Sequence, residues 1–111
     1  ENVRDWIHVR DHCRGVLSAL QKGWVGETYC FGGNQEIKNI DLARTLCRIL
    51  DQKRPLASGK KYEELIEYVA DRPGHDLRYA IDDMRAKKDL GYERSVPDFE
   101  SGLRDTVDWY L

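Results

Sequence analysis

Apolar positions recur along the chain with two different periods. Residues 3–9, VRDWIHV, are rich in β-branched and aromatic side chains and predict an extended segment. Cys13, Val16, Leu17 and Leu20 then fall at i, i+3, i+4 and i+7, one face of a helix running from an Asp11 cap to about Lys22, with Gly23 as its stop. ETYCF, residues 27–31, predicts a second strand, ended by Gly32-Gly33. The loop GGNQEIKN leads to a helix over about 40–51 with Leu42, Ala43, Leu46, Cys47 and Leu50 as its apolar stripe.

The second half is less regular. QKRPLASGKK, residues 52–61, has the composition of a linker within a domain. YEELIEYVA starts with helical composition and becomes extended toward Tyr68-Val69-Ala70. Leu77, Tyr79 and Ile81 alternate with Arg78 and Ala80, which predicts a strand. Asp82 or Asp83 caps a short helix ending at Gly91, and Pro97-Asp98 opens a last helix with Phe99, Leu103, Val107 and Tyr110 on one side. The order predicts an α/β chain, a small mixed sheet with packed helices, without a complete Rossmann unit.

Composition narrows the function. The 111 residues suit one domain with a modest core, and the chain is read as a piece of something longer because it begins at Glu1 in structured sequence. Charged residues make up 34% of the chain at a formal net charge of −2, with the signs interspersed. That argues against disorder and against nucleic-acid binding. No apolar run is long enough for a membrane span and no signal peptide opens the chain. Cys13, Cys30 and Cys47 have no zinc-type spacing and are expected to be buried thiols in a reducing cytoplasm.

No catalytic set is present. There is no G-x-G-x-x-G loop, P-loop, Gly-x-Ser-x-Gly elbow or His-Glu-x-x-His motif. His8 and His12 straddle a strand-to-helix junction and need not share a face, so no metal site is expected. The candidates are donors for an anion. Arg4 and Arg72 each carry a planar fork of N–H groups able to grip phosphate through two bonds. The plainer alternative is an ion pair with Asp5 or Asp71. In DRPGH, residues 71–75, Pro73 holds Arg72 extended and Gly74 permits a tight turn that presents Arg72 and His75. A bare structural turn, with His75 capping a carbonyl, is the alternative. Asn39 is placed as an N-cap at a helix end that also favours anions.

RDWIHVRDHCRGVLSAL, GETYCFGGNQEIKNIDLARTL, YVADRPGHDLRYAID and LGYERSVPDFESGLRDTVDWYL together resemble, in order and spacing, the C-terminal part of dTDP-glucose 4,6-dehydratases, of the extended short-chain dehydrogenase/reductase superfamily. RDWIHVRD is shared by many nucleotide-sugar enzymes, whereas DRPGHDLRYAID is more particular to this family. The resemblance implies a single C-terminal substrate-binding region over residues 1–111, with 1–23 at the junction to a Rossmann domain that this chain lacks. It implies a parent enzyme, commonly a homodimer, in which NAD takes a hydride from sugar C4, water leaves across C5 and C6, and the hydride returns to C6. NAD and the Tyr-x-x-x-Lys pair belong to the absent domain, so neither a cofactor nor a catalytic residue is expected here.

For this chain the resemblance implies binding of dTDP-glucose or a related nucleotide-sugar. Arg4 would contact the nucleotide diphosphate, Arg72 and His75 would supply diphosphate and nucleotide contacts, and Asn39 would face the nucleotide. Asp71, Pro73 and Gly74 would shape the turn, with Tyr79 a weaker candidate. Cys30 and Phe31 depart from the family's usual asparagine and isoleucine. A sister epimerase or decarboxylase and a noncatalytic binding module remain as alternatives.

Overall fold

A computed structural model describes residues 2–111. It contains two short strands and four α-helices: β1 (Val3–Asp5), α1 (Val9–Lys22), β2 (Glu36–Lys38), α2 (Asn39–Lys53), α3 (Met84–Leu90) and α4 (Phe99–Tyr110), with a 3-10 turn at Tyr62–Leu65. β1 pairs antiparallel with β2, setting Val3 opposite Lys38, Arg4 opposite Ile37 and Asp5 opposite Glu36. On the other edge of β1, the Val3 N–H donates to the Leu77 carbonyl (2.8 Å) and the Tyr79 N–H donates to the Val3 carbonyl (3.0 Å). This is a single parallel bridge between Val3 and Arg78. Backbone groups of successive strand residues point to opposite edges, so β1 lies between its two partners. The mixed α/β class is therefore as expected.

Three predicted strands are shorter or displaced. Residues 6–9 are not strand: extended backbone at His8 caps α1, and the His8 Nδ1 accepts from the Arg10 N–H at 3.2 Å. Asp11 is thus not the cap but lies in the first turn. Residues 27–31 are extended but form no ladder among the described residues, and the second strand lies at Glu36–Lys38, where a loop was expected. Alternating hydrophobicity favours extended backbone but does not supply a hydrogen-bonding neighbour. For the same reason residues 77–81 contribute only the bridge at Arg78.

The helices follow their patterns more closely. Asp98 caps α4 and accepts from the Ser101 N–H at 2.8 Å. Gly91 ends α3 in the left-handed conformation. At the start of α3 the cap position is Asp83, but the capping bond comes from Asp82, whose Oδ1 accepts from the Met84 N–H at 3.0 Å. The expected linker is tied back onto α2: the Tyr62 N–H donates to Asp51 and its hydroxyl donates to the Arg54 carbonyl at 2.8 Å.

Two small cores result. Ala86, Leu90 and Tyr92 are buried with Ile7, Ala19, Tyr29 and Phe31 packed around them. α1 enters this core through Gly15, where an added Cβ would overlap the Phe31 ring. The second core lies at α2 and α4, where Ile49 and Val107 are buried. Arg48 on α2 makes a two-point contact with Glu100 on α4, at 3.1 and 2.9 Å. The predicted stripe of α2 is half-buried and its most buried residue, Ile49, was not in it. Tyr110, expected inward, is exposed. Because Ile49 has no exposed surface, Ile49→Val is expected to cost about 1 kcal/mol, read as a lowered denaturant midpoint with unchanged slope.

The apolar face of α1 is uncovered, with Val16 51%, Leu17 52% and Leu20 84% exposed. Cys13 shares that face. Cys30 points outward because its neighbours Tyr29 and Phe31 turn inward along an extended segment, so both thiols are exposed. The expectation of buried cysteines holds only in part for Cys47, which is half-buried. Burial, with Glu63 and Asp51 nearby, pushes its thiol pKa up.

Candidate functional site

The chain folds so that one end of β1 meets residues 71–79 and the start of α2. Arg72, Pro73, Gly74 and His75 form a turn closed by the His75 N–H donating to the Arg72 carbonyl at 3.2 Å. Proline in second place and glycine in third, with φ of +73°, match a type II turn, which only glycine adopts freely. The Asp71 Oδ1 accepts from the Arg72 N–H (2.8 Å) and contacts His75 Nδ1 (2.6 Å), so Asp71 braces the turn from within.

Arg4 reaches this turn from β1. Its guanidinium donates to His75 Nε2 at 2.6 Å, to the Asp76 carbonyl at 2.9 Å and to the Val3 carbonyl at 2.6 Å. It also lies 4.7 Å from the centre of the Tyr79 ring, a cation–π arrangement. The expected alternative partner, Asp5, is engaged elsewhere: its Oδ1 accepts from the Gly33 and Gln35 N–H groups at 3.2 and 2.9 Å. The Arg72 guanidinium forms no ion pair among the described residues, Asp71 included. His75 does not cap a carbonyl through its ring but stands between Asp71 and Arg4.

Asn39 is not the N-cap. Lys38 occupies that position without a side-chain bond, and Asn39 is the first residue of α2. β2 runs directly into the helix, and the Asn39 N–H is taken by the Asn2 carbonyl at 2.9 Å. Its side chain is exposed at the helix start. Asn2 was missed in the sequence, although its amide donates to Asp71 Oδ2 at 3.1 Å and its carbonyl holds Asn39. Nothing in its local pattern marks it; only the register of β1 does. The amide of Asn2, and then the ring of His75, hold the Asp71 carboxyl down at about 2. The Tyr79 hydroxyl is shifted up, chiefly by a hydrogen bond to Asp76.

Arg4, Asp71, Arg72, Pro73, Gly74 and His75 therefore form one cluster, with Asn39 joined to it through Asn2. Arginine forks and a helix N-terminus at one end of a strand can neutralise a multiply charged anion. The two other histidines have separate surroundings: His8 Nε2 lies 3.4 Å from Asp105 of α4, and His12 stacks edge-on with Phe31.

This architecture agrees with comparisons to known proteins. A family model described as GDP-mannose 4,6 dehydratase matches residues 1–106, and the chain belongs to this family. Its relatives are more particular: dTDP-glucose 4,6-dehydratase of Xanthomonas campestris pv. campestris is 52% identical over 111 residues, covering 100% of this chain and 31% of that enzyme. dTDP-glucose 4,6-dehydratase 1 of Escherichia coli K12 is 49% identical, covering 100% of this chain and 30% of its own length. The crystal structure of the Bacillus anthracis dTDP-glucose 4,6-dehydratase in complex with NAD superposes with a TM-score of 0.77 at 40% identity, over 98% of this chain and 31% of that one. The chain thus spans about a third of the length of the relatives it matches.

Proposed function

We propose that this chain is the nucleotide-sugar-binding region of an NAD-dependent dTDP-glucose 4,6-dehydratase. The observation that carries the reading is the convergence of Arg4, Arg72 and His75 on one turn. There Arg4 is held by three acceptors, and Arg72 has no ion-pair partner among the described residues. Arg4 and Arg72 grip the diphosphate, His75 stands between Asp71 and Arg4, and Asn39 faces the nucleotide from the start of α2. NAD, when bound to the remainder of the polypeptide, takes the hydride from C4 and returns it to C6. This chain has no dinucleotide-binding loop and no Tyr-x-x-x-Lys pair, so its own task is to hold the sugar nucleotide.

The single region 1–111 packs, on this reading, against a Rossmann domain through residues 1–23. The uncovered Val16, Leu17 and Leu20 face supports that. Two exposed unpaired thiols suit a reducing compartment, and no helix among the described residues is long and apolar enough to cross a membrane. We place the protein in the cytoplasm, as a homodimer; the dimer rests on the resemblance alone.

Calorimetric titration of the intact polypeptide with dTDP against UDP tests the reading. Clear preference for dTDP is expected, and preference for UDP would shift the assignment to a sister epimerase or decarboxylase. The 111-residue chain alone, given dTDP-glucose and NAD, is expected to show no turnover. Product formation by it would overturn the division of labour proposed here.

A further inference from the structure

His75 sits within a linear run of polar groups whose chemistry fixes its protonation. The Asp71 carboxylate only accepts, so its 2.6 Å contact with His75 Nδ1 places a proton on Nδ1. The Arg4 guanidinium only donates, so its nitrogen 2.6 Å from Nε2 requires a lone pair there. One species satisfies both contacts: the neutral ring with its proton on Nδ1. The Asn2 amide approaches Nδ1 to 3.1 Å, but in this tautomer both are donors, so its bond goes to Asp71 Oδ2.

Asn2 is itself fixed, because its carbonyl accepts from the Asn39 N–H. The Asp71 carboxylate is thereby held at both oxygens, one by Asn2 and the other by His75 and the Arg72 N–H. The charged residues around the ring are Arg4 from β1 and Asp71 from the residue before the turn, with Arg72 at the turn's other end and Asp76 next in the chain. Reversing the ring's tautomer would set an Nε2–H against the guanidinium, two donors face to face.

We propose that Asp71 and Asn2 are positioning residues of the anion site: they fix His75 as the Nδ1–H tautomer, whose Nε2 holds Arg4 ready for a nucleoside diphosphate. This rests on the binding role proposed above. It adds that the geometry of Arg4 is set by groups that need not touch the ligand, the orienting role that outer hydrogen-bond partners of histidine play in other sites.

Nitrogen-15 spectra of histidine-labelled intact polypeptide, without ligand at about pH 8.5 where an ordinary imidazole is neutral, read the tautomer directly. The wild type is expected to show His75 as Nδ1–H, and Asp71→Ala is expected to convert it to Nε2–H. With dTDP as the probe, Asp71→Ala is expected to weaken binding about tenfold, the loss of roughly one hydrogen bond's net effect. Asn2→Ala, which leaves the charge count unchanged, is expected to move both readouts in the same direction by less. A wild-type Nε2–H ring in protein that binds dTDP would overturn the positioning role alone. So would an Asp71→Ala protein that changes tautomer yet binds dTDP as the wild type does. Wild-type protein that shows Nδ1–H but does not bind dTDP would overturn the binding role, and the positioning role with it.

Discussion

In the intact polypeptide, Arg4→Ala is expected to weaken dTDP binding about 100-fold, close to 2.7 kcal/mol. Hydrogen bonds to charged groups contribute about 1.5–3 kcal/mol each, and a half-buried guanidinium gripping diphosphate oxygens through a fork makes more than one. The side chain is already ordered by His75, Asp76, Val3 and the Tyr79 ring, so little rotamer entropy is lost on binding. Arg4→Lys is expected to recover less than about tenfold of the loss, because a point-like ammonium cannot span the same acceptors or lie flat on Tyr79. Arg72→Ala is expected to cost less, roughly tenfold, since its guanidinium is exposed and not held in advance. Calorimetric titration at two salt concentrations measures all three. Unchanged affinity in Arg4→Ala protein with a lowered melting temperature would make Arg4 a structural strut instead.

What could be read from the sequence depended on whether the signal was local. The caps at Asp98 and Gly91 and the Pro73-Gly74 turn are set by backbone preferences a few residues long, and each stands where the pattern placed it. The strands did not, because a strand is defined by its neighbour. ETYCF has strand composition and no ladder among the described residues, whereas the polar EIK pairs because β1 lies beside it. The amphipathic face of α1 was legible as periodicity, but periodicity could not say that Gly15 rather than Leu17 would meet the core. At the site, Arg4, Arg72 and His75 were named from side-chain chemistry and family resemblance. That Arg4 and His75 touch each other was not legible, since the contact joins positions 71 residues apart. Asn2 was missed and Asp11 was read as a cap for the same reason: their partners lie far along the chain.

Asp11→Ala is expected to lower stability by about 3 kcal/mol, which for a domain of this size is a fall in melting temperature of roughly 10–20 °C. Only 2% of Asp11 is exposed. Its carboxylate accepts from the Ser95 N–H at 2.7 Å, the Ser95 hydroxyl at 2.6 Å and the Val96 N–H at 3.2 Å, fastening the segment before α4 to the first turn of α1. Removing it leaves those donors without their acceptor, the costlier way to lose a hydrogen bond. Asp11→Asn retains one oxygen but turns an N–H₂ toward donors, so most of the loss is expected to remain. Burial by itself would raise the carboxyl pKa. The bonds from the Ser95 hydroxyl, the Ser95 and Val96 N–H groups and the charge of Arg14 outweigh it, holding the group below its ordinary 3.8. A carboxyl depressed in the folded state contributes its stability fully above that ordinary value and loses it as pH falls through the folded one. Thermal melts from about pH 7 to pH 2.5 are therefore expected to show a shallower acid decline in Asp11→Ala than in wild type. The remaining decline comes from Asp71 and Glu100, each held at about 2, and from Asp98, which is also lowered. An acid slope in Asp11→Ala equal to that of the wild type would mean that this carboxylate is not the fastening between α1 and the approach to α4.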